Sequence, residues 1–160
     1  MSHFPEFLAN SVLVAALGLA SAGSGDATAD SQTRSGVRQS MQAVKIRIVA
    51  EGAVLTATLD DIPTARDFAA LLPLQLTLED YAATEKISDL PRRLSIAEAP
   101  AGTTPSAGDI AYYAPWGNLA LFHRPFRYSD GLVRLGRIDA GVEILRRPGR
   151  LPVTIERVEE

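Results

Sequence analysis

Apolar and polar side chains alternate along several short stretches of the chain, and the first of these begins at residue 45. Residues 45–48 alternate polar with apolar side chains, and residues 54–59 do so again after Glu51 and Gly52. Alternation with a period of two residues is typical of a strand that buries one face, and an intervening glycine favours a hairpin. The pattern therefore predicts two paired strands at the start of the folded part.

A helical spacing follows these two strands. Four apolar residues recur at intervals of three or four positions, namely Ala65, Phe68, Ala69 and Leu72. Pro63 fits the first helical turn, where a missing N–H costs nothing, and Asp61 or Thr64 could cap the helix. Pro73 ends the run. We therefore predict one short amphipathic helix and find no second one of comparable quality.

Most of the remaining sequence again has the pattern of strands. Five further strands are predicted over residues 74–79, 111–114, 119–122, 132–138 and 153–158. Gly136 lies inside one of them, which suggests a bulge or a barrel bend, and prolines and glycines between Ser95 and Asp109 indicate a long loop. Closing such a sheet removes its exposed edges. We therefore expect a mainly β protein, a small closed barrel of about eight strands with one or two short helices over residues 44–160.

The region before the barrel has two interpretations. Residues 12–20 are apolar and lead into Ala20-Ser21-Ala22, the small-x-small pattern at which a signal peptide is cleaved, so residues 1–22 are predicted to direct the protein to the periplasm or outside the cell. However, the first ten residues contain Glu6 and no Lys or Arg, which is unusual for a signal peptide. Alternatively, translation starts at Met41 and the protein is cytoplasmic.

Residues 23–43 contain almost no large apolar side chain, and we expect them to form a disordered linker. The chain has no cysteine, which excludes a disulfide framework and a thiolate metal site, and it has no apolar run long enough for a standard transmembrane span. A net charge of -3 gives no general attraction for nucleic acid. We therefore expect no nucleic-acid partner, no membrane association after signal removal, and no metal or other cofactor.

Aromatic residues concentrate between positions 112 and 128, close to several polar side chains. Aromatic faces with a few placed polar groups are the usual lining of a ligand site, and arginine can pair with a carboxylate through two hydrogen bonds. The candidate binding residues are Tyr113, Trp116, Asn118, Phe122 and Arg127. The same aromatic residues could instead fill the core of the barrel, and both interpretations stay open.

Three stretches of the sequence point together to a known family. They are residues 63–74, which begin Pro-Thr-Ala-Arg-Asp-Phe, residues 85–94, and residues 108–120, which read Gly-Asp-Ile-Ala-Tyr-Tyr-Ala-Pro-Trp-Gly-Asn-Leu-Ala. These stretches resemble the bacterial cyclophilin-like domain proteins, a family whose biochemical role is largely undefined. The later residues 135–138 also fit. The resemblance covers about residues 44–159, and it implies an eight-stranded cyclophilin-type barrel.

Prolyl isomerases of the cyclophilin superfamily carry a Phe-His-Arg strand whose arginine assists rotation about the X-Pro bond. Residues Phe122, His123 and Arg124 match these three letters, which makes Arg124 a candidate catalytic residue, but the Met and Gln that follow in those enzymes are missing here. We expect His123 to be a strand residue with satisfied hydrogen bonds. The predicted function is binding of a small molecule or an extended peptide without strong catalysis, and peptidyl-prolyl isomerisation is the alternative.

Overall fold

The structure is a computed structural model that describes residues 43–159 of the chain. The predicted signal peptide and residues 23–42 of the predicted linker lie outside the described residues. The strands are β1 (Lys45–Ala50), β2 (Ala53–Leu59), β3 (Leu74–Tyr81), β4 (Glu85–Asp89), β5 (Gly102–Thr103), β6 (Asp109–Tyr113), β7 (Asn118–Phe122), β8 (Ser129–Asp130), β9 (Leu132–Ala140) and β10 (Leu151–Arg157). One α-helix, α1 (Pro63–Ala69), and one 3₁₀ turn, Val142–Arg146, complete the set.

Eight of these strands form a closed antiparallel barrel in the order β1-β10-β3-β4-β7-β6-β9-β2. The two short strands β5 and β8 pair with each other outside it. The prediction of a mainly β closed barrel of about eight strands is confirmed. The predicted first hairpin is also confirmed, because β1 and β2 pair in register, with Ile48 opposite Leu55.

The helix α1 begins at Pro63, as predicted, but it is not capped as predicted. Its N-cap position is Ile62, and neither Asp61 nor Thr64 gives it a side-chain cap. Thr64 is instead turned into the protein, where its Oγ1 has no hydrogen-bond partner among the described residues. The helix ends at Ala69, so Leu72 lies beyond it.

Gly136 lies in β9, opposite Leu59 of β2 and Ile110 of β6. The pairing of β9 with β6 shifts register beside it, because Ile110 is opposite Gly136 and Ala111 is already opposite Arg134. A Cβ atom on Gly136 would lie 2.3 Å from the backbone oxygen of Thr58 on β2. The register shift confirms the predicted bulge, and the position also requires a close backbone approach that only glycine permits.

The strand β4 was not predicted, because its sequence Glu-Lys-Ile-Ser-Asp is mostly polar. Lys86 is nevertheless fully buried, with 0% of its surface exposed. Its Nζ donates to the backbone oxygen of Gly149 at 2.6 Å and pairs with Asp80 Oδ1 at 2.7 Å. These partners compensate the burial of the ammonium group and join β4 to β3 and to the loop before β10.

Candidate functional site

The strands β6 and β7 bury both of their faces, and this creates the setting of the site. Alternate residues such as Tyr112 and Leu121 belong to the main core inside the barrel. The residues between them on β6 and β7, Ala111, Ala120 and Phe122, form a second apolar cluster together with Leu132 of β9. This second cluster lies on the outer face of the sheet, because successive side chains of a strand point to opposite faces.

The loop between β4 and β6 and the loop between β7 and β9 pass over this outer face and contact each other. The pairing of β5 with β8 connects them, and the backbone N–H of Phe126 donates to the oxygen of Pro105 at 3.1 Å. Gly102 allows the close approach, since a Cβ there would lie 2.3 Å from the backbone oxygen of Ser129. Phe126 packs against the second apolar cluster, so the cluster is covered on its loop side.

A cavity of about 350 Å³ remains between the loops and the outer face of the sheet. Its lining residues come from six strands, β3, β4, β6, β7, β8 and β9, and from the connections between strands. They are Tyr81, Ala82, Glu85, Tyr113, Trp116, Asn118, Phe122, Phe126, Arg127, Ser129 and Leu132. We call this space the outer-face cavity. All five candidate binding residues predicted from the sequence are among these residues, so the structure brings them together, although their role in binding stays a prediction.

Three aromatic rings form a row across the cavity, which we call the aromatic row. The ring of Trp116 meets Tyr113 edge to face at 5.3 Å between centroids and meets Tyr81 in the same way at 5.4 Å. Tyr113 ends β6 and Tyr81 ends β3, and these strands are separated in the barrel by β4 and β7. The indole of Trp116 therefore reaches across two strands, and it still leaves 54% of the residue's surface exposed.

The turn that carries Trp116 is fixed by the backbone. Gly117 has a φ of 73°, in the left-handed region that favours glycine, and its N–H donates to the oxygen of Tyr113 at 2.8 Å. Arg93 donates from Nη1 to the oxygen of Ala114 at 2.7 Å. These contacts hold the turn in one conformation and so position the indole over the cavity.

Asn118 contributes a polar side chain that is almost fully buried, with 3% of its surface exposed. Its Oδ1 has no hydrogen-bond partner among residues 43–159. A rotation of the amide about its last torsion exchanges Oδ1 and Nδ2, so the group can present a donor or an acceptor to the cavity. A buried amide oxygen that lacks a partner costs stability, and the place of Asn118 beside a cavity suggests a use other than packing.

Two oppositely charged side chains also line the cavity. Glu85 begins β4 and lies opposite Phe122 in the pairing of β4 with β7. Burial raises the pKa of the Glu85 carboxyl above its ordinary value, and a hydrogen bond from Thr84 at 3.3 Å opposes this shift only in part. Arg127 is exposed, and its guanidinium lies 5.1 Å from the centre of the Phe126 ring.

Sequence reasoning missed Tyr81 and Glu85 because it missed the hairpin between β3 and β4. The turn of this hairpin contains Ala82 and Ala83, which both have positive φ, of 49° and 55°. Alanine rarely adopts this conformation, so the turn lacks the Gly, Asn or Asp that marks most hairpins. Pairing across it places Tyr81 opposite Glu85.

Within the described residues, no group of three or more His, Asp or Glu side chains could hold a metal ion. No helix in this part of the chain is long and apolar enough to cross a membrane.

The comparisons with known proteins agree with this architecture. The model of the cyclophilin-like family matches residues 48–156, which is more than half of the chain. The chain belongs to the cyclophilin-like family. A solved structure, the solution structure of the hypothetical protein AF2241 from Archaeoglobus fulgidus, is similar to this cyclophilin-like barrel with a TM-score of 0.55 at 20% identity, over 72% of this chain and 95% of that one. The search of curated proteins found no match.

In this cyclophilin-like chain, the candidate catalytic residue Arg124 is not in the cavity. It lies two residues after the end of β7, is exposed and does not contribute to the cavity lining. The arginine that lines the cavity is Arg127, three positions later. The Phe-His-Arg sequence therefore does not place an arginine where a ligand in the cavity would contact it.

His123 also differs from its prediction. It follows β7 rather than belonging to it, and its buried Nδ1 has no hydrogen-bond partner among the described residues, so the expectation of a satisfied strand residue is wrong. The pKa of the His123 imidazole is lowered below its ordinary value. Burial is the main cause, and the positive charge of the neighbouring Arg124 is the second. The side chain does not line the outer-face cavity.

Proposed function

We propose that this cyclophilin-like protein is a binding protein that holds a small molecule or an extended peptide in the outer-face cavity, without strong catalysis. The observation that carries the proposal is the position of Trp116. Its indole is half exposed, yet it is held edge to face between two tyrosine rings over a preformed cavity. Exposing a large aromatic ring in a fixed orientation costs free energy that a bound ligand would recover.

The floor of the cavity also suits an extended ligand. Asn118 and Phe122 lie at the two ends of β7, and both line the cavity. The four residue steps between them span about 13 Å, which is the length of a short extended segment of peptide. The amide of Asn118 can pair with a peptide group, because it offers both a donor and an acceptor.

Trp116 is the only tryptophan of the chain, so its fluorescence reports directly on the cavity. The test is a titration of the full-length protein with a library of small molecules and short peptides, in which we expect a subset to change the emission of Trp116. Binding of those compounds is then measured by calorimetry with Trp116→Ala. We expect affinity to fall at least about tenfold, because a central aromatic contact is lost, while the protein stays folded.

The matched control is Val54→Ala, which removes an exposed apolar side chain from β2 that does not line the cavity. This change should leave binding unaffected. The proposal fails if no compound in the library binds, or if the compounds that bind do so equally well to the Trp116→Ala protein. Peptidyl-prolyl isomerisation stays the alternative prediction, and its candidate Arg124 has no contact with the cavity to support it.

A further inference from the structure

We infer that the outer-face cavity selects a compact zwitterion of the amino-acid or dipeptide class, whose ammonium group is bound by Glu85 and whose carboxylate is bound by Arg127. This inference rests on the proposed binding function and makes its ligand specific. It is carried by two opposite charges that line one cavity without pairing with each other.

Glu85 supplies a carboxyl that lacks a cationic partner. The ion pairs among residues 43–159 do not include it, and the hydroxyl of Thr84 is its one side-chain hydrogen-bond partner there. The group is only partly exposed, and burial of a carboxylate without a cation is unfavourable. A ligand ammonium beside it would compensate this cost, and Tyr81, which lies opposite it on β3, would add an aromatic surface that attracts cations.

Arg127 supplies a guanidinium that is held but not neutralised. It stacks on Phe126, and the ion pairs within the described residues do not include it either. Stacking on a ring leaves the edge of the guanidinium free, and that edge matches the two oxygens of a carboxylate. Most of the other arginines that could serve as alternatives are already engaged, such as Arg93, which bonds to the backbone of the Trp116 turn.

The two charged groups come from different walls of the cavity. Glu85 projects from the sheet, whereas Arg127 belongs to the loop that follows β7. A ligand between these walls forms an ion pair with each group only if it carries both a positive and a negative charge. The cavity volume of about 350 Å³ is near the lower end of the range of about 300–1,000 Å³ for small-molecule sites, which favours a compact ligand.

The test compares four forms of the same dipeptide. A panel of free dipeptides is first titrated against the full-length protein by Trp116 fluorescence, and the strongest binder is then prepared as the free zwitterion, the N-acetyl acid, the C-terminal amide and the N-acetyl amide. We expect each block to weaken binding about tenfold or more, as for loss of one charge-assisted contact, and the doubly blocked form to bind weakest.

Two variants then assign the charges. Glu85→Gln should bind the free dipeptide and its N-acetyl form equally, and Arg127→Gln should bind the free dipeptide and its amide equally. The matched controls are Glu79→Gln, a carboxylate on β3 paired with Arg150, and Arg146→Gln, an exposed arginine of the 3₁₀ turn, both of which lie outside the cavity. Each control should keep both preferences of the original protein.

The possible outcomes separate this inference from the proposed function. If all four forms bind equally, selection of a zwitterion is wrong. If the preferences survive in both cavity variants, the assignment of the charges to Glu85 and Arg127 is wrong, and the inference is overturned. In both cases binding in the cavity stands. If no dipeptide in the panel binds, the inference is overturned, and the broader library judges the proposed function independently.

Discussion

Replacement of Asn118 by leucine tests whether the cavity keeps a polar side chain at a cost to the stability of the fold. Asn118 is 3% exposed, and its Oδ1 has no hydrogen-bond partner among the described residues. Leucine has a similar branched shape and carries no polar atom. The substitution therefore removes an unsatisfied group, and the adjoining cavity gives the new methyl groups room to adjust.

The size of the effect follows from the cost of the unpaired group. A buried polar atom without a partner costs about 1–3 kcal/mol, and some of the gain is lost to imperfect packing of the new side chain. We expect Asn118→Leu to raise the free energy of unfolding by about 1–2 kcal/mol. With a dependence on urea of about 2 kcal/mol per molar, the midpoint of unfolding should rise by about 0.5–1 M.

The assay pairs this variant with Thr64→Val. Thr64 is 1% exposed, its Oγ1 also lacks a partner among residues 43–159, and it lies on α1 outside the cavity. Both variants and the original protein are unfolded in urea, and their affinities for a compound found by the fluorescence screen are measured by calorimetry. Both substitutions should raise the urea midpoint, and only Asn118→Leu should weaken the binding of that compound.

A fall in the urea midpoint of Asn118→Leu, together with a rise for Thr64→Val, would refute the reasoning, because the amide would then contribute to stability. An increase for both variants with no loss of affinity would show that the amide does not contact the ligand. In that case Asn118 would not be a binding residue, and the other residues of the cavity would recognise the ligand.

Three further predictions concern the barrel and its chemistry. Gly136→Ala should lower the free energy of unfolding by about 1–3 kcal/mol in a urea titration, because its Cβ would lie 2.3 Å from the backbone oxygen of Thr58; an unchanged midpoint would contradict this close approach. Because the pKa of His123 is lowered, the folded state binds fewer protons than the unfolded state, and the free energy of unfolding falls as pH drops below the ordinary pKa of 6.5. The free energy of unfolding of His123→Gln should therefore fall less between pH 8 and pH 5 than that of the original protein. In a protease-coupled peptide assay, isomerase activity should be low or absent, and acceleration that disappears in Arg124→Ala would instead establish the alternative function.

The pattern of apolar and polar residues alone determined those strands and the helix whose buried faces can be recognised from neighbouring positions in the sequence. The alternation in β1 and β2 and the helical spacing around Phe68 show which face of each element is buried. This face is set by the element's own side chains and does not depend on which strand pairs with it. The concentration of aromatic residues near Trp116 likewise marked one side of the future site. The sequence alone did not show which of these aromatic residues lie in the core and which line a cavity. In the structure Tyr112 lies in the core and Tyr113 lines the cavity, because the two side chains point to opposite faces of β6.

Tertiary structure alone decided the other half of the site. The strand β4 is mostly polar. Its residue Lys86 can be buried because the ammonium group pairs with Asp80 on β3 and donates to the backbone oxygen of Gly149, which lies 63 residues away in the sequence. Pairing of β4 with β7 then brings Glu85 beside Phe122. No local pattern encodes such a pairing, because the free energy that stabilises it comes from partners that meet only when the barrel closes.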